Sequence, residues 1–118
     1  MPGREKPRIL CVSRSAYQLK AMRGAFPVRE YEVLSASTPE QAVAVCLNNH
    51  ISAVVLDSEF STEFGWSAAQ TLKMVNPHLP VMLLLKSDEG TVPSGVDAVA
   101  PSHAHMLIKL KGLLTPQE

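Results

Sequence analysis

This 118-residue chain is short of cysteine, of net charge and of long apolar runs, and each shortage excludes a class of protein. Its two cysteines, Cys11 and Cys46, have no CxxC spacing, so both read as small buried hydrophobes rather than as a redox pair. Eleven basic residues are balanced by eleven acidic ones. A neutral chain lacks the concentrated basic face that a phosphate backbone demands, so nucleic acid is not an expected partner. No apolar stretch approaches the length of a membrane span, and the polar start Met-Pro-Gly-Arg-Glu-Lys has no signal-peptide character. The expectation is a cytoplasmic protein that does not contact a membrane. Internal repeats and low-complexity tracts are also missing.

What is present is enough apolar material, 46% of the residues, for one domain with one core. Two periodicities alternate along it. Arg8–Val12 predicts a first strand. Ser15 and Gln18 then stand at capping-box spacing, with Leu19, Met22 and Phe26 on one helical face and Pro27 as the stop. Tyr31–Ser35 is a second strand. Thr38, Pro39 and Gln41 supply an N-cap, a first-turn proline and a box partner; Ala42, Val43, Cys46 and Leu47 form the buried stripe, and Asn48-Asn49 close the helix.

Ile51–Leu56 is apolar throughout, as a strand covered on both faces should be. Trp66, Ala69, Leu72 and Val75 mark a third helix, ended by Asn76-Pro77. Pro80–Leu85 is a fourth strand, Asp97–Ala100 a short fifth, and Leu107, Leu110 and Leu114 the stripe of a last helix. Met22, Met74, Met82 and Met106 fall on core stripes. His50 and His78 read as turn residues; His103 and His105 read as surface or capping residues, since two histidines alone do not define a metal site. The domain is expected over residues 7–114, with flexible ends at 1–6 and 115–118.

Strand–helix alternation of this kind predicts an α/β fold: a flavodoxin-like, doubly wound three-layer sandwich on a five-stranded parallel sheet of order 2-1-3-4-5. Roughly ten residues join the fourth strand to the fifth, too few for a full crossover helix, so the fourth helix is expected short or absent. In this order strands 1 and 3 are neighbours, and the loops after Val12 and Leu56 meet at the switch point where such sheets bind ligands. Asp57 ends the third strand there.

The chain resembles a response-regulator receiver domain over residues 7–114. In that family a strand ends in a phosphoaccepting aspartate, often within a pattern like D-x-x-M-P-x-M-D-G. Here Asp57-Ser-Glu-Phe-Ser-Thr-Glu-Phe-Gly65 keeps the aspartate and glycine in register and has Phe60 at the first methionine position. The resemblance implies phosphorelay, two-component signalling, with Asp57 as phosphoacceptor and a protein partner, either a histidine kinase or a downstream signalling protein. It implies no direct nucleic-acid partner, and a monomer or weak homodimer.

The family's acidic pair, which holds Mg²⁺ together with the aspartate, is replaced by Ser13 and Arg14. Mg²⁺ therefore stays an option with weakened ligands, and no cofactor or metal residue is assigned. Leu85 stands where the family has Thr or Ser, with Ser87 two residues on. No lysine precedes Pro101, although Lys86 could reach back toward the pocket. The expected pocket is Ser13, Arg14, Glu59, Leu85, Lys86 and Ser87 around Asp57.

Two positions for Arg14 stay open, a bidentate pair with Asp57 in the space of the metal, or a solvated side chain. The reading is a pseudo-receiver with impaired Mg²⁺-dependent phosphorylation that acts through protein–protein contact. No Ser or Cys nucleophile is followed by a base and an orienter, so no catalytic residue and no enzymatic activity are expected. The alternative is a flavodoxin-like small-molecule or phosphate-binding module, with an anion on the Ser13-Arg14-Ser15 loop at a helix N-terminus.

Overall fold

The structure, a computed structural model, describes residues 6–62, 67–85 and 92–114. Five strands, β1 (Arg8–Val12), β2 (Glu32–Ala36), β3 (Ala53–Leu56), β4 (Val81–Leu84) and β5 (Ala98–Ala100), form one parallel sheet in the order β2-β1-β3-β4-β5. The helices are α1 (Ala16–Gly24), α2 (Pro39–Asn48), α3 (Ala68–Val75) and α4 (His103–Leu114), with a 3₁₀ turn at Ser58–Thr62. The anticipated order holds. β1 has the expected limits, and the other strands start or stop one or two residues from theirs: β2 runs Glu32–Ala36 rather than Tyr31–Ser35.

Strand pleating divides the core in two. Successive side chains of a strand point to opposite faces. Leu10, Val12, Val54, Leu56, Val81 and Leu83 accordingly pack with Ala42, Ala69 and Leu72 under α2 and α3. Ile9, Cys11, Ala53, Val55, Met82 and Leu84 pack with Met22, Met106 and Leu110 under α1 and α4. β1, β3 and β4 are covered on both faces, which is why they read as unbroken apolar runs.

Local sequence sets the helix ends. Ser15 and Thr38 accept from the backbone N–H of Gln18 (3.2 Å) and Gln41 (3.1 Å). Ser67 and Gln70 form a full reciprocal capping box at α3, a start that the Trp66-based reading of this helix passes over; Trp66 itself lies outside the described residues. Asn48 and Asn49 close α2 by donating their amides to the Ala44 and Val45 carbonyls.

Two apolar assignments are corrected. Leu47 is 68% exposed, and the stripe of α2 turns through Val43, Val45 and Cys46 instead. Met74 is 71% exposed on α3. Both follow from short helices lying over the margin of a small sheet, where the covered arc is narrower than the apolar arc of the sequence.

The β4–β5 connection shows no helix among the described residues; 86–91 lie outside them, and a turn occupies Ser94-Gly95. This segment is tied to α3. Ser67 Oγ donates to the Ser94 carbonyl at 2.7 Å, and the Asp97 carboxylate accepts from Lys73 Nζ (2.6 Å) and Val81 N (2.8 Å). Gly95 has φ +95°, and a Cβ there would approach the Ala69 carbonyl carbon and Gln70 nitrogen to 3.0 Å. Its backbone conformation and the close passage of α3 both require glycine.

Gly95→Ala is expected to destabilise the fold by roughly 1–3 kcal/mol, measured by urea unfolding at unchanged m-value. Burial pushes the Cys11 thiol up to about 12, with Arg23 opposing weakly, while the Cys46 thiol is raised less strongly and is half-buried. Iodoacetamide at pH 8.5 should therefore label Cys46 and spare Cys11 until the chain is unfolded, as peptide mass mapping would reveal. A raised thiol favours the folded state below the unfolded thiol's pKa, so this contribution is lost as pH rises from about 9 toward 12.

Candidate functional site

β1 and β3 pair with Val12 opposite Leu56, and the ladder runs one residue further: Asp57 N donates to the Val12 carbonyl at 3.0 Å. On the other side Ser13 N donates to the Ala36 carbonyl at 3.1 Å. Ser13 and Asp57 are thus held side by side at the carboxyl rim of the sheet by backbone bonds alone. Ser13 is fully buried and Asp57 is 8% exposed.

Their side chains meet. Ser13 Oγ donates to Asp57 Oδ2 at 2.7 Å, and the Ser58 backbone N–H donates to Oδ1 at 2.7 Å. Ser13 Oγ itself accepts from Ser15 N at 3.1 Å. Each carboxylate oxygen therefore has a short neutral donor. A hydrogen bond from a neutral group to a charged one contributes about 1.5–3 kcal/mol, so Ser13 holds this carboxylate in place.

Arg14 does not pair with Asp57. Its backbone N–H (3.0 Å) and its Nη1 (3.3 Å) both donate to Glu59 Oε2, and its guanidinium lies over the Phe60 ring, 5.1 Å from the centroid. Alternation along the strand is the reason: Ser13 and Arg14 point to opposite sides, and only Ser13 faces β3. The Arg14 side chain is more than half exposed, so this pair contributes at most about 1 kcal/mol. The pairing idea for Arg14 and Asp57 is overturned. The side chain is instead largely solvent-exposed, as the other position has it, while resting on Glu59 and Phe60.

Asp57 opens into a cleft of about 320 Å³ lined by Gln18, Ser58, Leu84, Leu85, Pro101, Ser102 and His103. Leu85 is held there by its N–H, which donates to the Ala100 carbonyl at 2.9 Å. Lys86 and Ser87 lie outside the described residues. Glu59 turns to Arg14 at the side of the cleft. Among the described residues no three His, Cys, Asp or Glu side chains gather closely enough to hold a metal ion.

The sequence reading missed Gln18, Ser58, Leu84, Pro101, Ser102 and His103 as cleft residues. The sheet order carries a signal for the last three, since β3, β4 and β5 end at one rim and the start of α4 follows. Ser102 caps α4, accepting from His105 N at 3.2 Å, and its Oγ is 2.8 Å from His105 Nδ1. Gln18 has no such signal; its place depends on how α1 lies on the sheet. At the Ser13-Arg14-Ser15 loop both hydroxyls are committed, Ser13 to Asp57 and Ser15 to the α1 cap.

No family model matches the sequence, and no curated protein matches it significantly. The structure is similar to solved ones. The chemotaxis response regulator CheY4 of Vibrio cholerae superposes with TM-score 0.74 at 15% identity, over 93% of this chain and 100% of that one. The signal receiver domain of an HD domain-containing protein from Pseudomonas fluorescens Pf-5 gives 0.77 at 15% identity, over 97% and 90%. A CheY-like receiver domain protein from Methanospirillum hungatei JF-1 gives 0.73 at 21% identity, over 93% and 94%. The chain has the fold of response-regulator receiver domains, with an aspartate at the end of β3 and a serine, not a carboxylate, bound to it.

Proposed function

We propose that this chain is a pseudo-receiver, a signalling module of the two-component type that acts by binding a protein partner and not by cycling an aspartyl phosphate. The observation that carries this reading is the Ser13 hydroxyl on Asp57 Oδ2. It stands where the resemblance implies a metal-binding carboxylate.

For a carboxylate oxygen to attack a phosphoryl group, it must give up a hydrogen bond and face a developing negative charge. Catalysis of that step depends on cations placed to offset the charge. Mg²⁺ does not fit the donors at hand. Among the described residues Asp57 offers the one carboxylate at the strand ends, Glu59 Oε2 is engaged twice by Arg14, and Ser13 is a neutral ligand already donating. Arg14 spends its charge on Glu59, and Ala100 precedes Pro101 where the resemblance implies a lysine. The partner would be a histidine kinase or a downstream signalling protein, meeting a surface that needs no phosphate to be formed.

Titration with Mg²⁺ and beryllofluoride, followed by backbone NMR with Asp57→Asn as control, is expected to give no saturable shifts at residues 13, 57 and 84–85. Saturable shifts that vanish in Asp57→Asn would overturn the reading. Restoring two carboxylates with Ser13→Asp and Arg14→Asp together should lower the melting temperature through like-charge repulsion beside Asp57. Millimolar Mg²⁺ should then raise it again by ligand linkage, on the order of 1–3 kcal/mol, while the parent chain stays insensitive.

A further inference from the structure

A second cavity lies away from Asp57. It is a groove of about 560 Å³ between α1 and the edge strand β2, within the size range of small-molecule sites. Its floor is apolar and aromatic. Leu19, Phe26, Tyr31 and Val33 line it, and the Phe26 and Tyr31 rings pack edge to face with centroids 5.2 Å apart. Its rim is cationic. Lys20 and Arg23, three residues apart and so neighbours on the α1 surface, both line the groove.

Neither cation has an ion-pair partner among the described residues, whereas Arg8, Arg14 and Lys73 each do. The carboxylates nearby are Glu32, engaged by Arg8 at 3.0 Å, and Glu30, exposed beside Tyr31. Lys6 adds a further positive charge at the Val28 end, where its Nζ donates to the Val28 carbonyl at 2.8 Å. Burial first, and Glu30 second, raise the Tyr31 phenol above its ordinary range.

From the apolar floor and the two unpaired cations we infer that the α1–β2 groove binds an amphipathic anion: a small molecule with an aliphatic or aromatic body and one carboxylate head. The body removes apolar surface of Leu19, Val28 and Val33 from water, and the head lies between Lys20 Nζ and the Arg23 guanidinium. A protein partner is a poorer fit, because a stable protein interface covers about 800 Å² on each side, far more than this narrow groove presents. The inference uses neither Asp57 nor the cleft, so it stands apart from the pseudo-receiver reading.

The test uses three ligands with one tail, decanoate, decanol and decyltrimethylammonium, titrated into the full chain and followed by backbone NMR. Decanoate should shift Leu19, Arg23, Tyr31 and Val33 saturably with a Kd below ~1 mM, decanol should bind at least about tenfold more weakly, and the cation should not saturate these residues. Lys20→Gln with Arg23→Gln should weaken decanoate about tenfold and leave decanol unchanged; both side chains are exposed, so the fold is retained.

Gly24→Leu is the second variant. A Cβ at Gly24 meets nothing within 4 Å, and Gly24 lines the groove, so a side chain there is expected to take up groove space. It should weaken decanoate and decanol alike at an unchanged or raised melting temperature. Decanol binding as tightly as decanoate, shifts located elsewhere, no saturation, or full affinity in the Lys20→Gln, Arg23→Gln variant would each overturn the inference.

Discussion

Parallel pairing of β1 with β3, Val12 opposite Leu56, is the constraint on which the chemistry of this chain depends. Once that register is set, the backbone carries both strands one residue past their regular ends and delivers Ser13 and Asp57 to adjacent points on the rim. A slip of one residue would turn Ser13 into the core and bring Arg14 to Asp57. The register is secured by burial on both faces, since Leu10 and Val12 fill one half of the core while Ile9 and Cys11 fill the other.

From that pairing follows an unusual distribution of charge. The buried carboxylate of Asp57 is satisfied by neutral donors, and Arg14, which follows Ser13 at the same rim, is turned outward to Glu59. Among the described residues the other cations stand away from this aspartate. Lys20 and Arg23 stand on the α1 rim of a second cavity, and Lys73 is spent on Asp97, where it fastens the segment before β5 to α3. The protein is neutral as a whole and locally polarised, with a carboxylate in its cleft and cations on its groove.

Much of this was legible in the residues. The alternation of strands and helices, the sheet order, the N-caps at Ser15 and Thr38 and the strand-terminal place of Asp57 all rest on local pattern, and each is where the pattern puts it. The misreadings have two physical sources. Leu47 and Met74 belong to apolar stripes but lie where the sheet is too small to cover them. Arg14 was weighed as a partner of Asp57 because it follows β1 at the rim where β3 ends, but its side chain turns to Glu59 and Phe60.

The sequence by itself determined the fold class, the buried strands and the arrival of an aspartate and a serine at the switch point, because periodicity and capping act over a few residues. Tertiary structure alone decided which donor reaches the carboxylate, which residues of α1 and α4 wall the cleft, and that Lys20 and Arg23 overlook a groove. Those outcomes depend on how helices lie across a twisted sheet, and on which way a side chain points just beyond the end of a strand, neither of which a local pattern encodes.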